Sequence, residues 1–278
     1  MMDEQAKLWN GTSGHAWVDA QELLDGMFAP FEGVLVEAAL AGSGSRVLDI
    51  GCGTGATTLA VAKRLGTTGR SVGLDISEPM IELARARAKS AALPATFICA
   101  DAQDYAFEPA SFDTIISRFG VMFFEDAFAA FANLRRAVSD SGGVLLIAWR
   151  GPEDNPFMTT AERAAASLLP SIPPRKPGAP GQFAFADSSR VHDILEKSGW
   201  TSIDIRPLDV ACRFPQSELV RYMTRLGPLG SALQHVDEST RTRVITTVRA
   251  AFEPFVEGDE VRFIAACWRI AARAGTKR

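Results

Sequence analysis

The chain of 278 residues is poor in the side chains that several kinds of chemistry need: three histidines, four cysteines and two tyrosines. Cys52, Cys99, Cys212 and Cys267 are scattered with no CxxC pair, which excludes a zinc ribbon or a disulfide frame and suits buried thiols. No metal site is expected. No apolar run reaches the length of a membrane span, and the opening Met-Met-Asp-Glu-Gln-Ala-Lys has no apolar signal region, so a cytoplasmic protein without membrane contact is expected. Basic clusters never exceed two or three residues and the net charge is −4, so nothing is present to neutralise a nucleic-acid backbone. GxxxxGK[ST], HExxH and GxSxG are all absent.

What is present is concentrated between residues 46 and 150. Val47-Leu-Asp-Ile-Gly-Cys-Gly-Thr-Gly55 is an apolar strand, a glycine turn and the start of a helix, the opening unit of a nucleotide-binding α/β sheet. A pyrophosphate belongs on a helix N-terminus, where Asp49 would repel it; a cationic ligand would be welcome. S-adenosylmethionine, with its sulfonium and free amino group, is such a ligand, whereas an Asp49 that merely caps the helix is the bland alternative. Ser71-Val-Gly-Leu-Asp75 and Thr96-Phe-Ile-Cys-Ala-Asp101 are further short strands ending in acids. Asp75 is placed to meet a ribose diol, Ile76 and Met80 an adenine face, and Asp101 or Gln103 an adenine amino group.

The set Asp49-Ile-Gly-Cys-Gly-Thr-Gly55, Gly73-Leu-Asp75-Ile-Ser and Ala100-Asp101-Ala resembles the cofactor motifs of class I S-adenosylmethionine-dependent methyltransferases. Phe112-Asp-Thr-Ile-Ile-Ser117 and Gly142-Gly-Val-Leu-Leu-Ile-Ala148 are similar to the fourth and fifth strands of that fold. The leader Trp9-Asn-Gly11, Gly14-His-Ala-Trp17-Val, Gln21 and Asp25 is similar to the small-molecule branch related to ubiquinone/menaquinone C-methyltransferases. The likeness is strong over 9–150 and weaker over 187–210 and 261–273. It implies a Rossmann-like, mostly parallel sheet of seven strands with an antiparallel last strand, helices on both faces and a helical lid insertion.

The resemblance also implies a cofactor site. Trp9 and Trp17 would cover it from the leader, over Asp49, Gly51, Cys52 and Gly53 of the glycine turn. Asp75, Ile76 and Met80 would follow from the second strand, Asp101, Ala102 and Gln103 from the third, and Ser117 from the fourth.

Strands are expected near 46–50, 71–75, 95–99, 112–117 and 143–149, and helices over 21–41, 55–65, 79–91 and 126–139, with Ser77 capping the third of these. Beyond Arg150, a helix-like 156–169 runs into Pro170-Ser-Ile-Pro-Pro-Arg-Lys-Pro-Gly-Ala-Pro180, which cannot be regular structure. Helix 187–199, strand 201–210, a mostly helical 215–257 and strand 261–271 follow. The chain thus divides into a leader and helix over 1–41, a cofactor-binding core over 42–150, a lid over 151–186 and 211–260, and completion of the sheet by 187–210 and 261–278.

Phe157, Met158, Phe183, Phe185, Trp200, Phe214, Tyr222, Met223 and Leu226 would give the lid an apolar, water-excluding interior. Substrate contacts are expected from His15 in the leader, Arg118 after the fourth strand, which can hold an anion bidentately, and the phenol of Tyr222. His192 reads as a surface or packing residue. Asp154-Asn-Pro-Phe157 departs from the DNA amino-methyltransferase signature by one proline and follows the fifth strand. The activity expected is methyl transfer to a small, partly apolar metabolite by direct in-line displacement, in a monomer or homodimer. The alternatives are a protein or tRNA methyltransferase and a non-catalytic S-adenosylmethionine-binding regulatory module.

Overall fold

The computed structural model describes residues 4–41, 44–170, 175–176 and 178–275. Expectations touching residues 1–3, 42–43, 171–174, 177 and 276–278 lie outside the described residues. The leader folds as α1 (Glu4–Asn10), α2 (Thr12–Asp19) and α3 (Gln21–Leu40). Alternation then sets in: β1 (Arg46–Ile50), α4 (Ala56–Leu65), β2 (Arg70–Asp75), α5 (Glu78–Ser90), β3 (Ala95–Cys99), β4 (Phe112–Arg118), α6 (Ala127–Ala137) and β5 (Val138–Trp149). The remainder comprises α7 (Pro156–Ala165), α8 (Ser188–Lys197), β6 (Thr201–Pro215), α9 (Leu219–Arg225), α10 (Gly227–Ala232), α11 (Glu238–Ala251), β7 (Val256–Glu257) and β8 (Glu260–Arg273).

The sheet runs β3-β2-β1-β4-β5-β8-β6, with β7 a two-residue addition to β8. Neighbours from β3 to β5 are parallel, and β8 is antiparallel to both β5 and β6. This is the expected mostly parallel sheet with its last strand reversed. Parallel strands covered on both faces need near-continuous apolar sequence; accordingly Val47, Leu48, Ile50, Ile115, Ile116, Leu146 and Ile147 are buried. The parallel register brings the C-terminal ends of β1, β2 and β3 level, pairing Asp49 with Gly73 and Asp75 with Cys99.

Among the boundaries that differ from the sequence reading, α7 ends at Ala165, short of the expected 169. β6 continues through residues 211–215, where the sequence predicts lid, because Cys212 and Phe214 alternate inward at 1% and 3% exposure. As an edge strand it also tolerates Pro207 in its middle. β5 begins at Val138, directly after α6, instead of near residue 143. Asp126, Asp187 and Asp237 cap α6, α8 and α11 through their side chains. Ser77 stands at the N-cap of α5 without a side-chain capping bond. Among the described residues no helix is long and apolar enough to cross a membrane.

Candidate active site

The glycine turn is built by backbone geometry. Gly51, Gly53 and Gly55 have φ of 64°, 54° and 86°, the left-handed region that side chains disfavour. At Gly51 the reason is double: a Cβ there would lie 2.5 Å from the Cα of Gly120, which follows β4. The Gly51 and Cys52 amides donate to the Leu74 carbonyl, at 2.8 and 3.2 Å, and so anchor the turn to the end of β2.

Around that turn lie the carboxylates. Asp75 is 7% exposed; its Oδ2 accepts from the Gly53 amide at 2.8 Å and its Oδ1 from the Ser77 amide at 2.9 Å. Burial raises its pKa against those two hydrogen bonds. Asp49 is 2% exposed and accepts from Thr58 Oγ1 at 2.7 Å. Burial pushes its carboxyl up to about 7, opposed by the Thr58 bond and by the charge of Arg118. Asp101 accepts from the Gln103 amide and from Gln103 Nε2, both at 2.8 Å. Gln103 Oε1 is itself committed to the Asp126 amide at 2.7 Å, which leaves Asp101 as the better acceptor of the two.

The leader is fastened to the same junction. Ser77 Oγ donates to the Trp9 carbonyl at 2.6 Å, Asn10 Nδ2 to the Ile76 carbonyl at 3.0 Å, and the Glu78 amide to Asn10 Oδ1 at 2.8 Å. A Cβ on Gly14 would collide with the Trp9 carbonyl, so glycine is required where α2 crosses α1. The Trp9 ring meets Trp17 and Phe123 edge-on, at 5.9 and 5.1 Å. A second clamp joins α5 to α3: Arg87 donates to Asp25 Oδ2 and to the Thr54 carbonyl, each at 2.6 Å.

Between leader, strand ends and the helices after β5 lies a cavity of about 460 Å³. One end is lined by Trp9, Trp17, Gly51, Gly53, Asp75, Ile76, Met80, Asp101, Ala102 and Gln103. The other is lined by Phe157, Met158, Tyr222, Met223, Leu226, Leu229 and Phe252 from α7, α9, α10 and the end of α11. Arg118 sits where the cavity meets a smaller one of about 40 Å³ that reaches Asp49, Cys52 and Thr57. It donates to the Phe28 carbonyl at 3.3 Å and lies 5.7 Å from the Phe28 ring. Among the described residues no carboxylate forms an ion pair with it. Burial lowers its pKa, offset in part by Asp25 and Asp49.

Not every expected residue reaches the cavity. His15 is exposed and its Nδ1 lies 2.9 Å from the Gly11 carbonyl in the preceding helical turn; it is not among the lining residues. Ser117 is fully buried, donating to the Ile50 carbonyl at 2.7 Å and accepting from the Gly120 amide at 3.3 Å. It holds β4 against β1 beneath the turn, away from the lining. Cys52 and Asp49 line only the smaller cavity. Trp200 and Phe185 pack in the core beside Phe131, Trp200 donating to the Phe131 carbonyl at 3.0 Å.

Phe119 was not foreseen. It follows β4 with a φ of 66°, stacks on Trp149 at 4.6 Å and lines both cavities. A left-handed, non-glycine residue held by stacking is strain of the kind found at ligand sites. No local sequence pattern marks it.

Residues 47–142 match a protein family described as a methyltransferase domain. The chain is 33% identical over 151 residues to an uncharacterized protein of Mycobacterium tuberculosis, covering 54% of this chain and 50% of that protein. The chain thus spans about half the length of the first curated relatives it matches. It is 27% identical over 186 residues to a demethylmenaquinone methyltransferase of Lactococcus lactis, covering 66% of this chain and 70% of that enzyme. The YcgJ protein of Bacillus subtilis shares the fold, with a TM-score of 0.57 at 18% identity over 88% of this chain and 98% of that one.

Proposed function

We propose that the chain, whose residues 47–142 match a methyltransferase domain, is a class I S-adenosylmethionine-dependent methyltransferase acting on a small, largely apolar acceptor held beside the cofactor. The observation that carries this reading is the continuity of one cavity from the acid-bearing strand ends to an aromatic chamber. The leader, residues 1–41, would cover the cofactor; α7, α9, α10 and α11 would form the lid.

The residues present fit S-adenosylmethionine. Each oxygen of Asp75 accepts one backbone amide, and a carboxylate oxygen has room for a further donor, so both can take a ribose hydroxyl. Asp101 can accept from the adenine amino group, and Ile76, Met80 and Phe123 offer an apolar setting for the ring. Asp49 and Arg118, opposite charges lining the small cavity with no ion pair between them among the described residues, suit the amino and carboxylate groups of the amino-acid end. The bound cofactor supplies an activated methyl group on a cationic sulfonium.

The chain's own residues then contribute alignment and exclusion of water. Enclosure by the leader and lid holds an acceptor against the donor, which alone is worth several powers of ten. The apolar walls disfavour the charged ground state relative to a transition state in which that charge disperses. Among the described residues the chamber end of the lining holds no histidine, and Glu162 there is paired with Arg175, so orientation is the contribution this reading assigns to the protein. A demethylmenaquinone methyltransferase among the relatives supports an apolar ring as acceptor. An apolar chamber of this size favours a small molecule over a protein or tRNA acceptor.

The test is transfer of radiolabelled methyl from S-adenosylmethionine to a panel of hydroxylated aromatics and quinones, with bulk tRNA and protein as competing acceptors. Label in the organic extract is expected. Label found only in tRNA or protein would overturn the small-molecule reading, and binding without transfer to any acceptor would favour the regulatory module.

A further inference from the structure

Phe157, Tyr222 and Phe252 line the apolar chamber and belong to a larger cluster of rings packed behind it. Phe157 stacks face to face on Phe263 at 3.9 Å and meets Phe252 and Phe255 edge-on, each at 5.2 Å. Tyr222 packs against Phe157 at 5.5 Å and Phe214 at 5.3 Å. Of these six rings five are phenylalanine, and Tyr222 alone brings a hydroxyl. Among the described residues its hydrogen-bond partner is the Met158 Sδ, at 3.5 Å. A thioether is a weak acceptor, and a hydroxyl in apolar surroundings without a good partner is costly. For packing alone a sixth phenylalanine would serve better. Both Tyr222 and Met158 line the cavity, so the space that could supply a better acceptor is the space a ligand would fill.

Resting on the methyltransferase reading, we propose that Tyr222 is a specificity-determining donor, its hydroxyl selecting acceptors that present a hydrogen-bond-accepting oxygen to the lid. The acceptor is therefore an apolar molecule bearing a carbonyl or comparable oxygen, not a plain hydrocarbon. Discrimination of this kind is steep because a site built for an oxygen leaves its donor unpaired when the oxygen is missing. Burial, with the nearby Glu162 charge, raises the pKa of the phenol and keeps it a neutral donor through the physiological range.

A matched pair of probes tests this: 2-acetylnaphthalene, which carries a carbonyl, and 2-ethylnaphthalene, which does not. Each is titrated calorimetrically into the full chain saturated with S-adenosylhomocysteine, using wild type and Tyr222→Phe. The ketone is expected to bind wild type more tightly than the hydrocarbon and to lose about tenfold in Tyr222→Phe, the worth of one hydrogen bond. The hydrocarbon should be indifferent to the substitution. Thermal melting of the ligand-free variant should equal or exceed wild type, since a poorly paired hydroxyl has been removed from an apolar wall. Equal losses for both probes, no loss for either, failure of both to bind wild type, or a clearly lower melting temperature would each overturn the proposal. Failure of S-adenosylhomocysteine itself to bind wild type would sink the methyltransferase reading instead, so the two failures are distinguishable.

Discussion

The two ends of the cavity are made of different material. At the strand ends the site is backbone and charge: a left-handed glycine turn, acids on consecutive strands and main-chain amides donating to Asp75. At the lid it is side-chain surface, with rings from α7, α9 and the end of α11, backed by rings of β6 and β8, and one poorly paired hydroxyl. The first kind of construction fixes the position of charged and hydroxylated groups and tolerates little change. The second fixes shape and dryness, and can be repacked with hydrophobic residues of similar volume at modest cost. One end is thus suited to fixing the proposed cofactor, the other to shaping the space for the proposed acceptor.

The largest effects are expected where charge and backbone meet. Asp75→Ala removes the partner of two backbone amides and of the proposed hydroxyl contacts, and should weaken S-adenosylhomocysteine binding about a hundredfold. Calorimetry of a variant shown by circular dichroism to be folded checks this; unchanged affinity would erase the contrast between the two ends. Gly51→Ala forces a Cβ against Gly120 at φ 64° and should cost about 1–3 kcal/mol of stability in urea unfolding.

Most of the strand-end half was legible in the sequence because its determinants are local. A strand must be apolar, a tight turn must carry glycine, and an acid at a strand end projects where the sheet stops. Even there, hydroxyls misled: Ser77 reads as a helix cap, yet its Oγ goes to the Trp9 carbonyl, and Ser117 reads as a cofactor contact, yet it ties β4 to β1. Both bonds join residues nearly seventy apart, which no local pattern reports. The lid was legible only as composition. Phe157 and Tyr222 line the cavity, whereas Trp200 and Phe185, equally aromatic, pack in the core against Phe131. Which ring faces a cavity is decided by tertiary packing. The same holds for Phe119, whose stacking partner Trp149 lies on the next strand.

Smaller effects sharpen the comparison. Asp49 titrates at about 7 because it is buried, so its charge is present above that pH and lost below it. Binding of S-adenosylmethionine should therefore weaken as pH falls from 8 to 6. Asp49→Asn should bind about tenfold less tightly at pH 8 and lose that pH dependence. The ligand-free protein should show the opposite sign. A carboxyl whose folded pKa lies above its unfolded value of 3.8 contributes stability that is fully present below that value and disappears as pH rises through about 7. Thermal melts across that window, wild type beside Asp49→Asn, check it. Smallest of all, Arg87→Gln loosens the partly buried clamp to Asp25 and Thr54 and should raise the dissociation constant of S-adenosylhomocysteine only about two- to fivefold.

The central claim is that cofactor and acceptor occupy different ends of one cavity. Hydrogen–deuterium exchange with and without S-adenosylhomocysteine tests it most directly, because protection is read segment by segment. The account predicts slowed exchange at residues 49–55, 75–80 and 100–104 and in the leader over 9–17, with α7, α9 and α10 changed far less. Protection concentrated in those lid helices, or spread evenly over both ends, would contradict it.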